Sequence, residues 1–269
     1  MKKTILITGA TDGIGLLAAK KLFAQGHQLL IHGRNQAKLE QVSEQLGGLN
    51  TYLADFSDMD SVVKMVKAVL SDYERLDVLI NNAGILKTDQ PKTVSGRDIR
   101  FDVNTLAPFV LTRCLLPIIP ETGRVLNLSS AAQAQVDIPS MKAFVPMDDM
   151  AAYAQSKRAI TIWSAALANE YPKGPSVVSI NPGSLLATKM VKEGFGIIGK
   201  DINIGADILV KGVTDDEFAC SSGMYFDNDY RKFSSPHKAV NDAIYCDEVM
   251  AAINSITQNY ISSCRGPNS

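Results

Sequence analysis

The sequence has few of the residues that build metal sites, disulfide frameworks and nucleic-acid surfaces. Its 269 residues include four cysteines with no CxxC pair and three scattered histidines. We therefore expect reduced thiols and no bound metal. The net charge is −1 and no block of basic residues occurs, which argues against nucleic acid and against an anionic membrane as the main partner.

Long apolar runs are also missing by inspection. No stretch approaches the roughly 18 consecutive apolar residues of a membrane-spanning helix. The run at residues 4–8, after two lysines, is broken at once by Gly9, so it is too short for the core of a secretory signal. The sequence therefore predicts a cytoplasmic protein whose main partner is a small molecule.

Short apolar runs do occur, and they alternate with longer amphipathic segments. The runs, which predict strands, are residues 4–8, 28–32, 51–53, 78–80, 124–128 and 176–180, and the helical segments include 15–25, 37–46, 59–70 and 153–170. This alternation is typical of a parallel sheet covered by helices on both faces. We expect a doubly wound α/β fold, a Rossmann fold, of about seven strands. A single domain is expected at 1–263, with a short tail at 264–269.

A glycine-rich turn follows the first run and opens the first helix. It contains Gly9, Thr11, Asp12, Gly13, Ile14 and Gly15. The glycines allow a tight turn and let backbone amides approach a pyrophosphate at the positive end of a helix. The spacing is GxxxGxG rather than the commoner GxGxxG, so a turn without a ligand stays an alternative on this motif alone. A second pattern, GxxxxGK at 194–200, is rejected as a phosphate loop because Asp201 follows it instead of Ser or Thr.

The end of the second run indicates which dinucleotide is bound. About twenty residues after the glycines, an NAD enzyme carries an acidic residue for the ribose 2′-hydroxyl. Here Gly33 is followed by Arg34 and Asn35. An arginine can hold a 2′-phosphate by charge-assisted hydrogen bonds, so NADP(H) is favoured over NAD(H). The alternative is a solvated arginine in a turn.

Further motifs follow in a fixed order along the chain. They are Asp55-Phe56, Asn81-Asn82-Ala83-Gly84, Asn104, Ser130, Tyr153-Ala154-Gln155-Ser156-Lys157, Asn181-Pro182-Gly183 and Thr188. With the glycine turn, this order resembles the short-chain dehydrogenase/reductase family, in particular its retinol-dehydrogenase-like branch, over nearly the whole length. Two details depart from the family pattern: Ser130 and Tyr153 are 23 residues apart, a long gap, and Thr188 lies one residue further from Gly183 than usual.

The resemblance implies a role for each of these residues. It implies a catalytic tetrad of Asn104, Ser130, Tyr153 and Lys157. It implies cofactor contacts from the glycine turn and from Arg34, Asn35, Asp55, Phe56, Asn82, Ala83, Gly84, Tyr153, Lys157, Pro182, Gly183 and Thr188. It also implies a homodimer or homotetramer that pairs through the helices containing Asn104 and Tyr153.

The spacing of the tetrad suits proton transfer. Tyr153 and Lys157, four residues apart, share one face of a helix about 6 Å apart along its axis. A free phenol has a pKa of about 10, and we expect the adjacent ammonium and an oxidised nicotinamide together to lower the pKa of Tyr153. Ser130, at the end of a buried strand, can hydrogen-bond the substrate oxygen. Asn104 is unfavourable within an apolar helix; the resemblance implies that it kinks the helix and holds a water for a proton relay.

Two segments without fixed motifs, 131–150 and 184–203, are expected to line the substrate cleft. Their apolar side chains are Met141, Phe144, Val145, Met147, Met190, Phe195, Ile197 and Ile198. They favour a medium-sized ketone, aldehyde or secondary alcohol, unless they only cap the core. The glycines of residues 184–203 predict a mobile lid.

Two other functions belong to folds of this class. A non-catalytic NADPH-binding regulator is expected to lack the tyrosine or the lysine, and both are present. An epimerase or dehydratase of the extended branch is expected to carry TGxxGxxG and a longer substrate domain, and neither is found.

Overall fold

All six predicted strands form, and each end lies within one residue of its predicted position. In the computed structural model, which describes residues 1–234 and 242–264, they are β1 (Thr4–Ile7), β2 (Gln28–Gly33), β3 (Asn50–Leu53), β4 (Val78–Asn81), β5 (Arg124–Leu128) and β6 (Ser176–Asn181). The apolar residues of these strands are buried, except Leu53 of the edge strand β3, which is exposed. Ile5 and Ile7 point into one core and Leu6 into the other, as the period of two requires.

Two further short strands extend the sheet beyond β6. They are β7 (Tyr225–Asp227), parallel to β6, and β8 (Lys232–Ser234), antiparallel to β7. The strand order is β3-β2-β1-β4-β5-β6-β7-β8, so the sheet has eight strands where about seven were expected. The order reverses between β1 and β4, and a fold of this kind binds its ligand at the carboxyl ends of the strands beside that point.

The helices lie on both faces of the sheet. They are α1 (Gly13–Ala24), α2 (Gln36–Gln45), α3 (Met59–Asp72), α4 (Ile99–Phe101), α5 (Ala107–Leu115), α6 (Ile138–Lys142), α7 (Asp149–Glu170), α8 (Lys189–Phe195), α9 (Asn203–Thr214), α10 (Asp216–Ala219) and α11 (Ala243–Cys264). The core on one face contains residues of α1, α2 and α9, and the other contains residues of α3, α5 and α7.

The last helix, α11, forms an additional layer outside α3, α5 and α7. The stretch Ile99–Ile118 is long and apolar enough, by length and composition, to cross a membrane. Such a stretch was not expected from the sequence. In the fold, 78% of its apolar window is buried, as is usual for a core helix. The expected tail began at Cys264, but Cys264 ends α11 and is buried; residues 265–269 lie outside the described residues.

Gly15 tests how tightly the start of α1 packs. A Cβ built on Gly15 would lie 2.4 Å from the Asn82 Nδ2 atom and 2.4 Å from the Gly9 carbonyl oxygen. Alanine ordinarily stabilises a helix by about 1 kcal/mol relative to glycine. Because the backbone of Gly9 cannot move aside cheaply, we expect Gly15→Ala to lower the free energy of unfolding by about 1–3 kcal/mol instead. Urea unfolding measures it, with the exposed Ala24→Ser as control. A more stable variant would contradict this packing.

Candidate active site

One large cavity lies at the carboxyl ends of the parallel strands. Its volume is about 980 Å³, at the upper end of the range of small-molecule sites. All the candidate residues predicted from the sequence line it except Gly15 and Asn104. Those on its wall are Gly9, Thr11, Asp12, Gly13, Ile14, Arg34, Asn35, Asp55, Phe56, Asn82, Ala83, Gly84, Ser130, Tyr153, Lys157, Pro182, Gly183 and Thr188.

The glycine turn is fixed in place by the end of β4. The Thr8 hydroxyl accepts hydrogen bonds from the amides of Asn82 and Ala83, both at 3.0 Å. The Asn82 side-chain amide in turn donates to the carbonyl oxygens of Thr8 (2.8 Å) and Gly9 (3.1 Å). Gly9 has a φ of +65°, and a Cβ on it would lie 2.9 Å from the Ala83 Cα. Only glycine fits this close approach of two backbones.

The turn presents free backbone donors to the cavity. Asp12 caps α1 by accepting a hydrogen bond from the Gly13 amide at 2.8 Å. The next two amides, of Ile14 and Gly15, find no acceptor among the described residues. Unpaired amides at a helix N-terminus favour an anionic group. The residues present therefore fit the diphosphate of a nicotinamide dinucleotide. Gly15 contributes a backbone amide, and its lack of a side chain lets α1 pack closely against Gly9 and Asn82.

We call the end of the cavity beside Asp55 the adenine end, because the resemblance implies that Asp55 contacts the adenine of the cofactor. It contains a histidine whose role the sequence did not reveal. His32 is buried at the end of β2 and stacks on Phe56, with ring centroids 4.2 Å apart. Its Nδ1 accepts a hydrogen bond from the Gly9 amide (3.2 Å), so its Nε2–H donates to the Ala54 carbonyl (3.1 Å). Burial lowers the pKa of His32 to about 4, and the ring stays neutral. His32 thus ties the glycine turn to β2 and β3.

Two basic side chains border the cavity near the adenine end. Arg34 is exposed on the wall, as predicted, and Lys38 from the first turn of α2 joins it. Lys38 pairs with Asp12, with Nζ 3.5 Å from the carboxylate. The side chain of Asn35 caps α2 by accepting from the Lys38 amide at 3.0 Å. Sequence reasoning missed Lys38 because it lies within α2, outside the motifs, and reaches the cavity wall only in the fold.

The catalytic groups meet where β5 ends against α7. The Lys157 ammonium donates to the Leu128 carbonyl at 2.7 Å and lies 5.6 Å from the centroid of the Tyr153 ring. Ser130 hydrogen-bonds the Tyr153 phenol with its side chain. The Ser130 hydroxyl also accepts from the Ala132 amide at 3.1 Å. Ser130, Tyr153 and Lys157 therefore face the cavity together.

The pKa values of these groups differ from the sequence expectation. Tyr153 lines the cavity, but its hydroxyl lies deep, and burial raises the pKa of the phenol while the Ser130 hydrogen bond opposes the rise. Burial also lowers the pKa of Lys157 to about 7. In the protein alone, burial outweighs the effects that lower the pKa of Tyr153, and the lowering expected with an oxidised nicotinamide bound stays a prediction.

Asn104 lies behind the site and does not line the cavity. It sits in a π-helical turn, Asp102–Leu106, between α4 and α5. Its Oδ1 accepts from the Ile85 amide at 2.8 Å, and its Nδ2 donates to the Ile85 carbonyl and to the Ser156 hydroxyl, both at 2.9 Å. The helix is irregular at Asn104, as expected, and the side chain holds the chain after Gly84 against α7. The water-holding role stays a prediction.

The turn after β6 is anchored by residues that no motif indicated. The Asn181 side chain donates to Asp229 (2.9 Å), and the Ser184 amide donates to the same carboxylate (2.9 Å). Asn228 donates to the Pro182 carbonyl at 2.9 Å. Partial burial acts to raise the pKa of Asp229, but the hydrogen bonds from Ser184 and Asn181 outweigh it and hold the pKa below its usual range. The loop between β7 and β8 therefore positions the turn.

Thr188 begins α8, the helix over the open end of the cavity. Its hydroxyl accepts from the Val191 amide at 3.2 Å, so the side chain caps this helix. Two backbone hydrogen bonds join the segments on either side of α8. The Ala187 amide donates to the Lys200 carbonyl, and the Lys200 amide donates to the Leu185 carbonyl, both at 2.7 Å. The predicted lid is thus a loop closed at its base.

The substrate end corrects part of the sequence prediction. Of the eight predicted apolar side chains, only Met190 and Phe195 line the cavity. Met141 is fully buried in the core, and Val145, Ile197 and Ile198 are exposed; Phe144 and Met147 are also off the wall. Other apolar side chains replace them: Ile85, Leu86, Val103, Met150, Leu185, Leu186 and Val191. Leu86 was missed because it lies in a loop without periodicity.

Comparisons with known proteins agree with this architecture. A family model described as short chain dehydrogenase matches residues 3–195. Human retinol dehydrogenase 13 is 27% identical over 267 residues, covering 87% of this chain and 78% of that protein. A short chain dehydrogenase from Shigella flexneri in complex with NADP superposes with a TM-score of 0.68 at 28% identity, covering 84% of this chain and 97% of that one. A 3-ketoacyl-(acyl-carrier-protein) reductase from Brucella melitensis in complex with NADH gives 0.68 at 25% identity, covering 84% and 96%.

The buried ammonium predicts a pH-dependent stability of the apoprotein. Lys157 has a pKa of about 7 in the fold and an ordinary value of 10.5. Below pH 7 Lys157 is charged in both the folded and the unfolded chain, and burying that charge lowers the free energy of unfolding. Between pH 7 and pH 10.5 the unfolded chain binds more protons than the folded chain, so the free energy of unfolding rises with pH. We expect the stability of Lys157→Met relative to wild type to be greatest at or below pH 7 and to decline toward pH 10.

Urea unfolding at a series of pH values measures this difference. Loss of the hydrogen bond to Leu128 shifts Lys157→Met by a constant amount, so the slope with pH is the diagnostic quantity. The exposed Lys64→Met on α3 is the matched control and should show no such slope. A difference that does not change with pH would show that Lys157 is not desolvated.

Proposed function

Because the chain belongs to the short chain dehydrogenase family, we propose that it transfers a hydride between NADP(H) and a medium-sized apolar ketone, aldehyde or secondary alcohol. The family and its relatives make it an NAD(P)-dependent oxidoreductase of the retinol-dehydrogenase-like branch. One observation carries the finer proposal. Ser130, Tyr153 and Lys157 converge on a cavity whose other end has the amide donors and cations suited to a phosphorylated dinucleotide.

Proton transfer in this proposal belongs to Tyr153. When bound, the nicotinamide supplies or accepts the hydride. In the reducing direction the Tyr153 hydroxyl donates its proton to the substrate oxygen, and the Ser130 hydroxyl hydrogen-bonds the same oxygen as charge develops on it. In the protein alone, burial raises the pKa of Tyr153 and makes the phenol a weaker proton donor, and the Ser130 hydrogen bond opposes this rise. Lys157, held by Leu128, places a positive charge beside the phenol when it is protonated.

The NADP(H) preference rests on charge at the end of β2. Arg34 and Lys38 border the cavity there, and β2 ends in Gly33 without an acidic side chain. The nearby carboxylate, Asp12, is paired with Lys38. Two cations favour a 2′-phosphate over a hydroxyl. The NADP complex of the Shigella relative supports this preference, whereas the NADH complex of the Brucella protein shows that the fold also accepts the other dinucleotide.

The substrate class rests on the apolar side chains of the cavity wall. They include Leu86, Met150, Leu186, Met190 and Phe195. Aliphatic and aromatic side chains exclude water and bind apolar groups in proportion to the area they cover. The name of the human relative, retinol dehydrogenase 13, points to an apolar alcohol and supports the same class.

Replacing Tyr153 tests the acid–base role. Tyr153→Phe removes only the hydroxyl, so we expect kcat to fall by about 10²–10⁴-fold, the contribution of a positioned acid–base group. The dissociation constant of NADPH should stay near the wild-type value, because Lys157 and the glycine turn are unchanged. Steady-state kinetics and NADPH fluorescence titration measure the two quantities. Tyr171→Phe, beyond the far end of α7, is the control. Turnover near wild type in Tyr153→Phe would overturn the mechanism.

Replacing the two basic residues tests the cofactor preference. Arg34→Ala should lose charged hydrogen bonds of about 1.5–3 kcal/mol each, a roughly 10- to 150-fold lower kcat/KM with NADPH. Lys38→Ala should show a smaller loss in the same direction, because Lys38 also pairs with Asp12. NADH kinetics should change little in either variant. The exposed Lys64→Ala is the control, and ionic strength is held constant because salt screens these contacts. Equal losses with both cofactors would contradict a 2′-phosphate contact.

A further inference from the structure

Helix α5 is buried on nearly every side. Eight of its nine residues are buried, Arg113 being the exception. A helix that lies on the surface of a sheet needs only one apolar stripe, and a helix that is apolar all round must be covered on both sides. The sheet covers the inner side of α5. The outer side requires a second cover, either another chain or another part of this one.

In this chain the outer cover is α11. Helix α11 packs against α3, α5 and α7, and the Cys114 thiol of α5 contacts the Ile261 carbonyl of α11 at 4.0 Å. The buried residues of α11 recur at helical spacing and form one stripe: Val249, Ala252, Ile253, Thr257 and Cys264. The opposite face of α11 is exposed and polar, with Glu248, Asn254, Ser255, Gln258 and Asn259. Among the described residues, the layering of helices therefore ends at α11, whose exposed side has Ile244 as its one large apolar side chain.

The first turn of α11 also reaches the active-site loop. The Tyr245 hydroxyl accepts a hydrogen bond from the Val136 amide at 2.6 Å. The loop that contains Val136 begins at Ser130, whose hydroxyl accepts from the Ala132 amide and whose carbonyl accepts from the Gln133 side chain. A displacement of this loop would reach Ser130.

Helix α7 holds the same loop from its other side. The Ala134 amide donates to the Ala154 carbonyl at 3.1 Å, and the Asp137 amide donates to the Gln155 side chain at 2.8 Å. Ala154 and Gln155 directly follow Tyr153. The loop is thus fastened between α7 and α11, so that the positions of Ser130 and Tyr153 relative to each other depend on both helices.

We propose that α11 takes the place of a partner subunit: it covers the outer face of α5 and α7 within one chain, and its Tyr245 positions the loop that follows Ser130. The face on which pairing was expected from the resemblance is therefore occupied, and the protein does not pair through it. Tyr245 is a positioning residue, acting on Ser130 through the loop. The part of the proposal concerning Tyr245 rests on the proposed oxidoreductase function, and the part concerning subunit pairing does not.

The covering role is tested on the full chain by sedimentation and hydrogen exchange. We expect a monomer of 29.1 kDa at low concentration, with and without NADPH, in which the amides of α5 are strongly protected. If a dimer forms at higher concentration and the α5 amides are equally protected in the monomer and the dimer, α11 is the cover and the proposal is supported. A dimer whose dissociation exposes the amides of α5 would overturn it, because the partner would then be the cover.

Two variants on α11 separate its inner and outer faces. Ile253→Asp places a charge in the buried stripe, and we expect faster exchange in α5 together with self-association through the uncovered face. Asn254→Asp, one residue further on the exposed face, is the matched control and should behave as wild type. Unchanged exchange and mass in a folded Ile253→Asp would contradict the cover. If Ile253→Asp does not fold, the hydrogen exchange of α5 in the wild type tests the covering role, and the Tyr245 variant tests the positioning role.

Tyr245→Phe tests the positioning role without disturbing the stripe. It removes the acceptor of the Val136 amide and keeps the ring. We expect kcat to fall several-fold while the NADPH dissociation constant stays the same, and we expect faster exchange at residues 131–137. A lower melting temperature with unchanged kcat would show that Tyr245 is only structural. If the wild type itself has no turnover, the oxidoreductase proposal fails, and the exchange of residues 131–137 still decides whether Tyr245 holds the loop.

Discussion

The hydrogen bond between the Lys157 ammonium and the Leu128 carbonyl is the contact on which the site depends. It joins α7 to the end of β5 at a buried position, where an unpaired ammonium is costly. This bond sets the depth and rotation of α7, and hence brings Tyr153 beside Ser130. The same burial lowers the pKa of Lys157 and raises that of Tyr153. A site built this way gives up stability in exchange for a lysine that can change charge near neutral pH.

The cofactor end depends on a different principle, close approach of backbone segments. The glycine turn lies against the end of β4, with the Thr8 hydroxyl and the Asn82 amide satisfying the polar groups that this contact buries. The turn after β6 is held in the same manner by Asp229. Both turns are thus fixed from behind by polar side chains, one by Thr8 and Asn82 and the other by Asp229. The cavity can therefore have a defined shape before any ligand is bound.

Local pattern was sufficient for six of the eight strands and for most of the catalytic and cofactor-binding candidates on the cavity wall, because apolar periodicity and motif order are properties of neighbouring residues. It was not sufficient where distant segments meet. Lys38 of α2 pairs with Asp12 of the glycine turn, and Asp229 accepts a hydrogen bond from Ser184. Met141 was predicted in the cleft, but α6 turns it into the core. The raised pKa of Tyr153 depends on burial, which spacing alone does not describe.

The central claim is that a hydride moves between the nicotinamide and a carbonyl carbon in this cavity. Its most direct test supplies NADPH carrying deuterium at the reactive position of the nicotinamide, together with a panel of medium-sized apolar ketones and aldehydes, and analyses the products by mass spectrometry and NMR. We predict an alcohol with one deuterium on the carbon that bears the new hydroxyl. Tight binding of NADPH without deuterium transfer to any member of the panel would contradict this account and favour a non-catalytic NADPH-binding protein.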